Sequence, residues 1–179
     1  MRTMITIIEL LMFLLFITPS YLAQETNLTD YAALLAFKSH LMSEPNNNLA
    51  GNWSSKTNFC DWLGVSCSNQ RVVALQLPGL ALGGRISPDI ANLTQLMVLD
   101  LSNNDLSGSL PGELGHLHSL RLVNVTRNYL QGSIPANISH CQELEQLYLS
   151  DNMITGSIPK EMGLLSNLKA LRLNNNNLT

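Results

Sequence analysis

The chain has 179 residues, of which 45% are hydrophobic and 13% are charged, and its formal net charge is −3. This small charge, with lysine and arginine scattered along the chain, gives no electrostatic basis for binding nucleic acid or an anionic membrane surface. The length that remains after an N-terminal leader suits one domain.

The N-terminal end is typical of a secretory signal peptide. Arg2 supplies a positive charge, and an unbroken apolar run follows at residues 10–17. This run is too short for a comfortable membrane span. We therefore predict a signal peptide over residues 1–23, cleaved after Ser20 or Ala23, with an uncleaved anchor as the alternative.

Six N-glycosylation sequons occur behind the apolar run. Their asparagines are Asn27, Asn52, Asn92, Asn124, Asn137 and Asn177. Several Asn-X-Ser/Thr sequons behind a signal peptide indicate a secreted glycoprotein. Asn124 is unusual among them, because a glycan there would obstruct the open face of a predicted strand.

Residues 24–71 are predicted to form a cap in front of a repeat array. An amphipathic helix is expected over residues 29–42, with Thr29 or Asp30 as its N-cap and a stop at Pro45. Its apolar stripe contains Leu34, Phe37, Leu41 and Met42. We expect this stripe to cover the first edge of the repeats.

The three cysteines have two predicted roles. In a secreted chain Cys60 and Cys67 are expected to form a disulfide, which closes a short loop and stabilises the fold by roughly 2.5 kcal/mol. Zinc binding is not favoured, because the spacing is not Cys-X-X-Cys and no second ligand pair is near. Cys141 aligns with Leu117 and Leu93 at intervals of 24 residues. A buried free thiol is therefore predicted, with a reactive or intermolecular cysteine as the alternative.

The rest of the chain repeats itself every 24 residues. Complete copies begin at Leu96, Leu120 and Leu144, an incomplete copy begins at Leu168, and a degenerate copy starts at Val72. The complete copies follow the pattern Leu-X-X-Leu-X-Leu/Val-X-X-Asn, or close variants of it, followed by Gly and Pro. This is the pattern of a leucine-rich repeat, and residues 72–179 contain four and a half such repeats.

The spacing within one copy predicts its local structure. Alternate side chains of a strand point to opposite faces, so Leu99 and Leu101 are expected in the core and Asp100 on the other face. Asn104 can donate and accept hydrogen bonds, so we expect it to satisfy backbone groups where the chain turns. Gly108 permits a backbone conformation that other residues resist. One copy cannot bury its apolar side chains alone, so the copies are expected to stack into a solenoid.

Three features resemble the N-terminal ectodomain of plant leucine-rich-repeat receptor-like kinases. They are the helix sequence ALLAFKS, the segment FCDWLGVSC followed by RVVALQL, and repeats that contain GSIP. The stretch RVVALQLPGLALGGRISPDIANLTQL is most similar to the subgroup that includes receptors for bacterial protein patterns. The resemblance implies an α/β repeat fold: a right-handed solenoid with a helical, disulfide-linked cap, a parallel sheet on the concave face and a second short strand in each repeat.

The resemblance also implies partners and a location. Members of this family bind peptides or co-receptors on the inner face and its flank, and full-length relatives continue into a membrane helix and a Ser/Thr kinase. We therefore expect an extracellular peptide or protein ligand and a co-receptor ectodomain as partners, in defence or developmental signalling. The expected location is the outer face of the plasma membrane as part of a receptor, or the apoplast as a secreted protein.

This sequence departs from the full-length pattern, since it shows no kinase motif, no later apolar segment and no C-terminal cap. Two alternatives therefore remain, a free-standing secreted repeat protein (an inhibitor of a microbial enzyme or a decoy) and a nonfunctional gene fragment. The inhibitor family normally carries more cap cysteines, which favours the receptor interpretation.

No catalytic motif is found, including Gly-X-Ser-X-Gly, a P-loop or His-Glu-X-X-His. His116 and His140 occupy the same repeat position as Asn92, outside the strand, and are predicted to be surface residues. We expect no enzyme activity, metal site or cofactor.

The ligand-binding candidates are the residues on the open strand face and at its flanks, since short strands on a rigid frame suit an extended peptide. They are Val98, Asp100, Ser102, Arg121, Leu122, Asn124, Thr126, Glu145, Gln146, Tyr148, Ser150, Lys169 and Arg172, with Arg127, Asp151 and Ala170 beside them.

Overall fold

The computed structural model describes residues 19–43 and 48–179. The first 18 residues of the predicted signal peptide and the predicted helix stop at Pro45 lie outside this part. Within the described ranges, no helix combines the length and the apolar character that a membrane crossing requires.

The cap begins with helix α1 (Pro19–His40), which starts ten residues before the predicted 29–42 and ends two residues before its predicted end. The chain then forms strand β1 (Leu41–Ser43), which pairs antiparallel with β4 (Leu82–Arg85). The predicted helix bounds were therefore wrong at both ends. At the C-terminal end the reason is the sheet, because the outermost strand has unpaired backbone groups that β1 satisfies.

Asp30 is not the helix cap that the sequence predicts. It lies inside α1 and is fully buried. Its carboxylate accepts two hydrogen bonds from the Arg71 guanidinium at 2.9 Å and one from the Val72 backbone N–H at 2.8 Å. A buried carboxylate needs such partners to offset its lost hydration. Asp30 therefore fastens the helix to strand β3 (Arg71–Gln76).

Aromatic side chains fill the space between α1 and the first repeat. Trp53 follows the short helix α2 (Asn48–Asn52) and stacks on Trp62 with ring centroids 5.1 Å apart. Phe37 of α1 lies 6.3 Å from the Trp53 ring and is fully buried, as is Leu34. The predicted apolar stripe thus covers the edge of the solenoid through these residues.

The predicted Cys60–Cys67 disulfide is confirmed. It joins the short 3-10 helix Phe59–Asp61 to strand β2 (Val65–Ser68), which pairs antiparallel with β3. The bridge therefore holds the strand that covers the first edge of the repeat sheet.

Two six-stranded sheets run along the solenoid. The inner sheet contains β2, β3, β5 (Val98–Asp100), β7 (Leu122–Asn124), β9 (Gln146–Tyr148) and β11 (Ala170–Arg172). The second sheet contains β1, β4, β6 (Asp105–Gly108), β8 (Tyr129–Gly132), β10 (Met153–Gly156) and β12 (Asn177–Leu178). Pairing between the repeat strands is parallel in both sheets. This confirms the predicted leucine-rich-repeat solenoid and its second short strand.

The repeat asparagine bonds to the backbone of two turns, as predicted. Asn104 Nδ2 donates to the carbonyls of Leu77 at 2.7 Å and Leu101 at 3.0 Å. Its Oδ1 accepts from the N–H groups of Leu80 and Leu82, each at 3.0 Å. The same kind of contact, to the preceding turn and to its own, recurs at Asn128, Asn152 and Asn176. These buried amides therefore satisfy backbone groups that the turns leave unpaired.

The outer side of each turn is a 3-10 helix rather than an α-helix. The four repeat helices are Pro88–Asn92, Gly112–His116, Ala136–His140 and Lys160–Leu164. Cys141 follows the third helix, is fully buried and has its Sγ 3.1 Å from the Leu114 carbonyl oxygen. Burial raises the pKa of this thiol to about 11, and the prediction of a buried free cysteine is confirmed. His116 and His140 are exposed.

Candidate ligand-binding face

The inner sheet presents its outward side chains in rows that cross the strands, because parallel pairing aligns equivalent residues of neighbouring repeats. The central row is Gln76, Asp100, Asn124, Tyr148 and Arg172. The upper row, two residues earlier, is Ala74, Val98, Leu122, Gln146 and Ala170. The lower row, two residues later, is Pro78, Ser102, Thr126, Ser150 and Asn174. Strands lie about 4.8 Å apart, so each row repeats a side chain at that spacing.

The central row carries the aromatic ring and two formal charges. Asp100 and Asn124 each accept a hydrogen bond from the backbone N–H two residues later, at 3.0 and 3.2 Å. The Arg172 guanidinium carbon lies 4.7 Å from the centre of the Tyr148 ring, a cation–π contact. Within the described part of the chain, neither Asp100 nor Arg172 is in an ion pair. Both charges are therefore available to a ligand.

The upper and lower rows are less polar and less accessible. Val98 and Leu122 are half-buried and give the upper row an apolar surface, while Gln146 Oε1 accepts a hydrogen bond from the Tyr148 hydroxyl at 2.8 Å. In the lower row Ser102 and Ser150 are only 5% and 4% exposed. These two serines therefore form the floor of the face and present little surface to a ligand.

A charged column flanks the strands on the side of their first residues. Lys169 Nζ donates to Glu145 Oε2 at 2.6 Å, and the Arg121 guanidinium lies 4.0 Å from the Glu143 carboxylate. The hydrogen bond from Lys169, together with its charge, lowers the pKa of Glu145, and Arg121 adds a smaller effect. Arg121, Glu145 and Lys169 were all predicted at this flank.

The opposite flank has a backbone conformation that constrains its residues. The position before each repeat asparagine has φ between 55° and 67°, the left-handed region. Its occupants are Gly79, Asn103, Arg127, Asp151 and Asn175. Glycine, asparagine and aspartate tolerate this region, and arginine rarely adopts it. The Arg127 side chain is 71% exposed, and its guanidinium lies 3.9 Å from the Asp151 carboxylate and 3.4 Å from Asn103 Oδ1.

A groove of about 360 Å³ lies where the central and lower rows meet this flank. Its lining is mostly polar and comprises Ser102, Asn103, Asn124, Thr126, Arg127, Tyr148, Ser150, Asp151, Arg172 and Asn174. We call it the inner groove. Sequence reasoning identified most of these residues but missed Asn103 and Asn174. Both follow the row pattern at intervals of 24 residues, so extending the rows by two positions would have found them.

Comparisons with known proteins agree with this architecture. The family model for the leucine-rich-repeat N-terminal domain matches residues 27–68, and leucine-rich-repeat models match residues 95–117 and 120–178. The LRR receptor-like serine/threonine-protein kinase EFR of Arabidopsis thaliana is 40% identical over 84 residues, which are 46% of this chain and 8% of EFR. The solved structure of the BIR2 ectodomain from Arabidopsis thaliana matches with a TM-score of 0.78 at 34% identity, over 84% of this chain and 81% of that one.

The chain belongs to the leucine-rich-repeat ectodomains of plant receptor kinases. A further similar structure is the Arabidopsis receptor kinase HAESA in complex with the peptide hormone IDA and the co-receptor SERK1. It matches with a TM-score of 0.61 at 29% identity, over 84% of this chain and 30% of HAESA. This ectodomain segment thus spans only a small part of the curated relatives that it matches.

The six sequons of this ectodomain segment lie on different faces. Asn92 and Asn137 are exposed on the outer 3-10 helices, and Asn177 is exposed in β12. In the cap, Asn27 Nδ2 donates to Gln70 Oε1 at 3.1 Å, and Asn52 Oδ1 accepts from the Leu63 N–H. Asn124 is the sequon on the inner sheet. Two of its predicted roles, ligand contact and glycan attachment, therefore fall on one side chain.

Proposed function

We propose that this chain is the N-terminal recognition module of a plant receptor ectodomain, working outside the cell. In this proposal an extracellular peptide or protein ligand contacts the inner face, and a co-receptor ectodomain contacts the module or its flank. The observation that carries it is the set of rows on the inner sheet, which holds charged, aromatic and apolar side chains at fixed spacing. A rigid sheet of this kind can bind an extended chain with little loss of side-chain freedom.

Its relatives support the proposed partner classes. HAESA was solved with a peptide hormone and a co-receptor on a solenoid of the same fold. The inner face described here has the chemistry for similar contacts, with an unpaired carboxylate at Asp100 and an exposed guanidinium at Arg172 in one row. Ligands that carry both charge signs are expected to bind best, since the flank adds charges of both signs as well.

The last described turn supports a second part of the proposal, that further repeats stack on it in the complete protein. Leu171 and Leu164 are 42% and 63% exposed, whereas Leu147, the equivalent of Leu171 one repeat earlier, is fully buried. Apolar side chains in this register are normally covered by the next repeat.

The binding proposal is tested with the secreted chain, a library of synthetic peptides and the SERK1 ectodomain, by biolayer interferometry. We expect at least one binder whose affinity falls about tenfold for Lys169→Ala, a change of roughly 1.4 kcal/mol. Lys160→Ala is the matched control, because it removes the same charge from an outer 3-10 helix. Equal losses for the two variants, or no binder at all, would overturn the proposal.

Reading the native transcript across codon 179 separates the alternatives. A frame that continues into more repeats, a membrane helix and a kinase agrees with a receptor. A stop codon directly after Thr179 would instead favour a free-standing secreted protein or a gene fragment.

A further inference from the structure

Asn124 lies at the centre of the inner face and begins the sequon Asn124-Val125-Thr126. We propose that Asn124 carries an N-linked glycan, which lies along the inner groove and controls access of ligands to the centre of this face. The inference deepens the proposed function, on which it rests for the passage of the chain through the secretory pathway. It names a modification that regulates the same surface.

The strand geometry allows the modification without disturbing the core. Val123 and Val125, on either side of Asn124, are fully buried, so Asn124 projects away from the stacked repeats. Its Oδ1 is held by the Thr126 N–H at 3.2 Å. Its Nδ2 makes no hydrogen bond to any described residue. The nitrogen that forms the glycosidic link is therefore free, and the repeat would not have to unstack to accommodate a sugar.

The inner groove offers suitable contacts to the first sugar rings. Hydroxyl and amide groups of Thr126, Ser150 and Asn174 line it, and such groups can exchange hydrogen bonds with sugar hydroxyls. Tyr148 lies directly beside Asn124 in the sheet and supplies an aromatic ring. The volume of about 360 Å³ is at the lower end of the range of roughly 300–1,000 Å³ for small-ligand sites.

Asn124 differs in this respect from the sequons on the outer helices. Asn92 and Asn137 are exposed on the outer side of the solenoid, away from both sheets, where a glycan leaves the inner face open. A glycan on Asn124 has the central row on both sides, with Asp100 one strand away and Tyr148 on the other. A peptide that crosses the strands along this row would have to pass over the modified side chain.

The attachment is an ordinary group transfer. The donor is an oligosaccharide linked to a lipid pyrophosphate, and the transferase is that of the secretory pathway. The bond between C1 of the reducing-end N-acetylglucosamine and the pyrophosphate oxygen breaks, and a bond from C1 to Asn124 Nδ2 forms. Nδ2 loses one proton, and the lipid pyrophosphate leaves.

One consequence concerns where a ligand can bind. With the glycan present, the centre of the inner face between β5 and β9 is covered, whereas Lys169 and Arg172 at the far edge stay exposed. The module then contributes to recognition through this edge and through the flank.

The test compares two variants of the full chain secreted from plant or insect cells. Thr126→Ala destroys the sequon, and Thr126→Ser is the matched control that keeps it. Glycopeptide mass spectrometry is expected to find a glycan on Asn124 in the wild type and in Thr126→Ser, and none in Thr126→Ala. Asn124→Gln gives a second glycan-free chain in case Thr126→Ala is not secreted.

Coverage of the groove is measured by nitration of tyrosine with tetranitromethane. Tyr148 is expected to react about threefold faster or more in the glycan-free chains, because a bulky surface group no longer covers it. Tyr129 is 54% exposed on the second sheet and is the internal control, with equal rates in all chains.

Two results would overturn the inference: an unmodified Asn124 in the secreted wild type, or equal nitration of Tyr148 with and without the glycan. Neither measurement uses a ligand. Failure to find a binder would therefore count against the proposed function and leave this inference standing, and the reverse also holds.

Discussion

The first and last turns of the solenoid bury equivalent residues to different extents. Leu75 in the first turn is fully buried, whereas Leu171, four repeats later at the same position, is 42% exposed. The first turn is covered by the cap, through Leu34 and Phe37 of α1 and through strand β2. The same leucine is thus a core residue only when a neighbouring layer covers it, as expected for a solenoid whose stability depends on contacts between adjacent turns.

The two turns also differ in how their backbone groups are satisfied. In the first turn, β2 pairs with β3, and the buried Asp30 carboxylate accepts the Val72 N–H. In the last described turn, β11 and β12 each pair on one side alone within the described sheets. The cap therefore supplies hydrogen bonds as well as apolar contacts, and substitutions in the cap should affect stability more than equivalent ones in the last turn.

Asp30→Ala is expected to cause the largest loss of stability. It leaves the Arg71 guanidinium and the Val72 N–H without their buried partner, and breaking a buried pair in this way costs about 3–5 kcal/mol. Urea unfolding followed by circular dichroism would measure the change. Asp151→Asn is the control, because it removes an exposed partner 3.9 Å from Arg127 and keeps a residue that tolerates positive φ. A loss of similar size in both variants would refute the special role of the cap carboxylate.

Leu147→Ala and Leu171→Ala compare a central turn with the last one directly. The first removes a fully buried side chain and should cost roughly 2–5 kcal/mol. The second removes a side chain that is already 42% exposed and should cost about 1 kcal/mol or less. The same unfolding assay measures both. Equal losses would mean that the last turn is covered in solution, for example by a second copy of the chain.

Removal of the cap disulfide is expected to have an intermediate effect. Replacing Cys60 and Cys67 together by serine should lower stability by roughly 2.5 kcal/mol, because the unfolded chain gains the freedom that the bridge restricts. Secretion yield should fall with it. The wild type in dithiothreitol should approach the double variant, since reduction removes the same bridge. An unchanged yield and midpoint would show that the aromatic cluster alone holds the cap.

The repeat region was predictable from sequence because its structure follows from local chemistry repeated at a fixed interval. The core position of Leu99, the backbone contacts of Asn104 and the strand that ends at Gly108 all follow from one copy of the pattern. The disulfide was predictable as well, since only two cysteines lie close together in the sequence. Regular stacking then extended each inference to the other turns.

The cap and parts of the candidate site depended on contacts that the sequence does not display. Asp30 has the ordinary appearance of a helix cap, and only its partner 41 residues away makes it a buried anchor. Strand β1 forms because β4 has an edge to be paired, which no local propensity of residues 41–43 indicates. The serines of the lower row look like surface residues, yet Ser150 is buried where its hydroxyl donates to Asn174 Oδ1 at 2.7 Å.

The smallest effect is expected at the exposed flank, in the pair of Glu145 and Lys169. Lys169→Ala should raise the pKa of Glu145 towards its ordinary value, because the hydrogen bond and the positive charge that lower it are both removed. A lowered pKa means that the pair adds stability above the ordinary pKa of a glutamate, and that this contribution disappears as the pH falls through the lowered value. Solvent screening keeps the contribution small.

Carboxyl-detected NMR titration of both proteins would measure the change in the pKa of Glu145, and Lys160→Ala should leave it unaltered. Added salt should shrink the difference between wild type and Lys169→Ala, since exposed charges are screened. If Glu145 titrates identically in wild type and Lys169→Ala, the pair does not persist in solution. The flank would then present two independent charges to a ligand, whereas a measurable shift means that a ligand must compete with Lys169 for the Glu145 carboxylate.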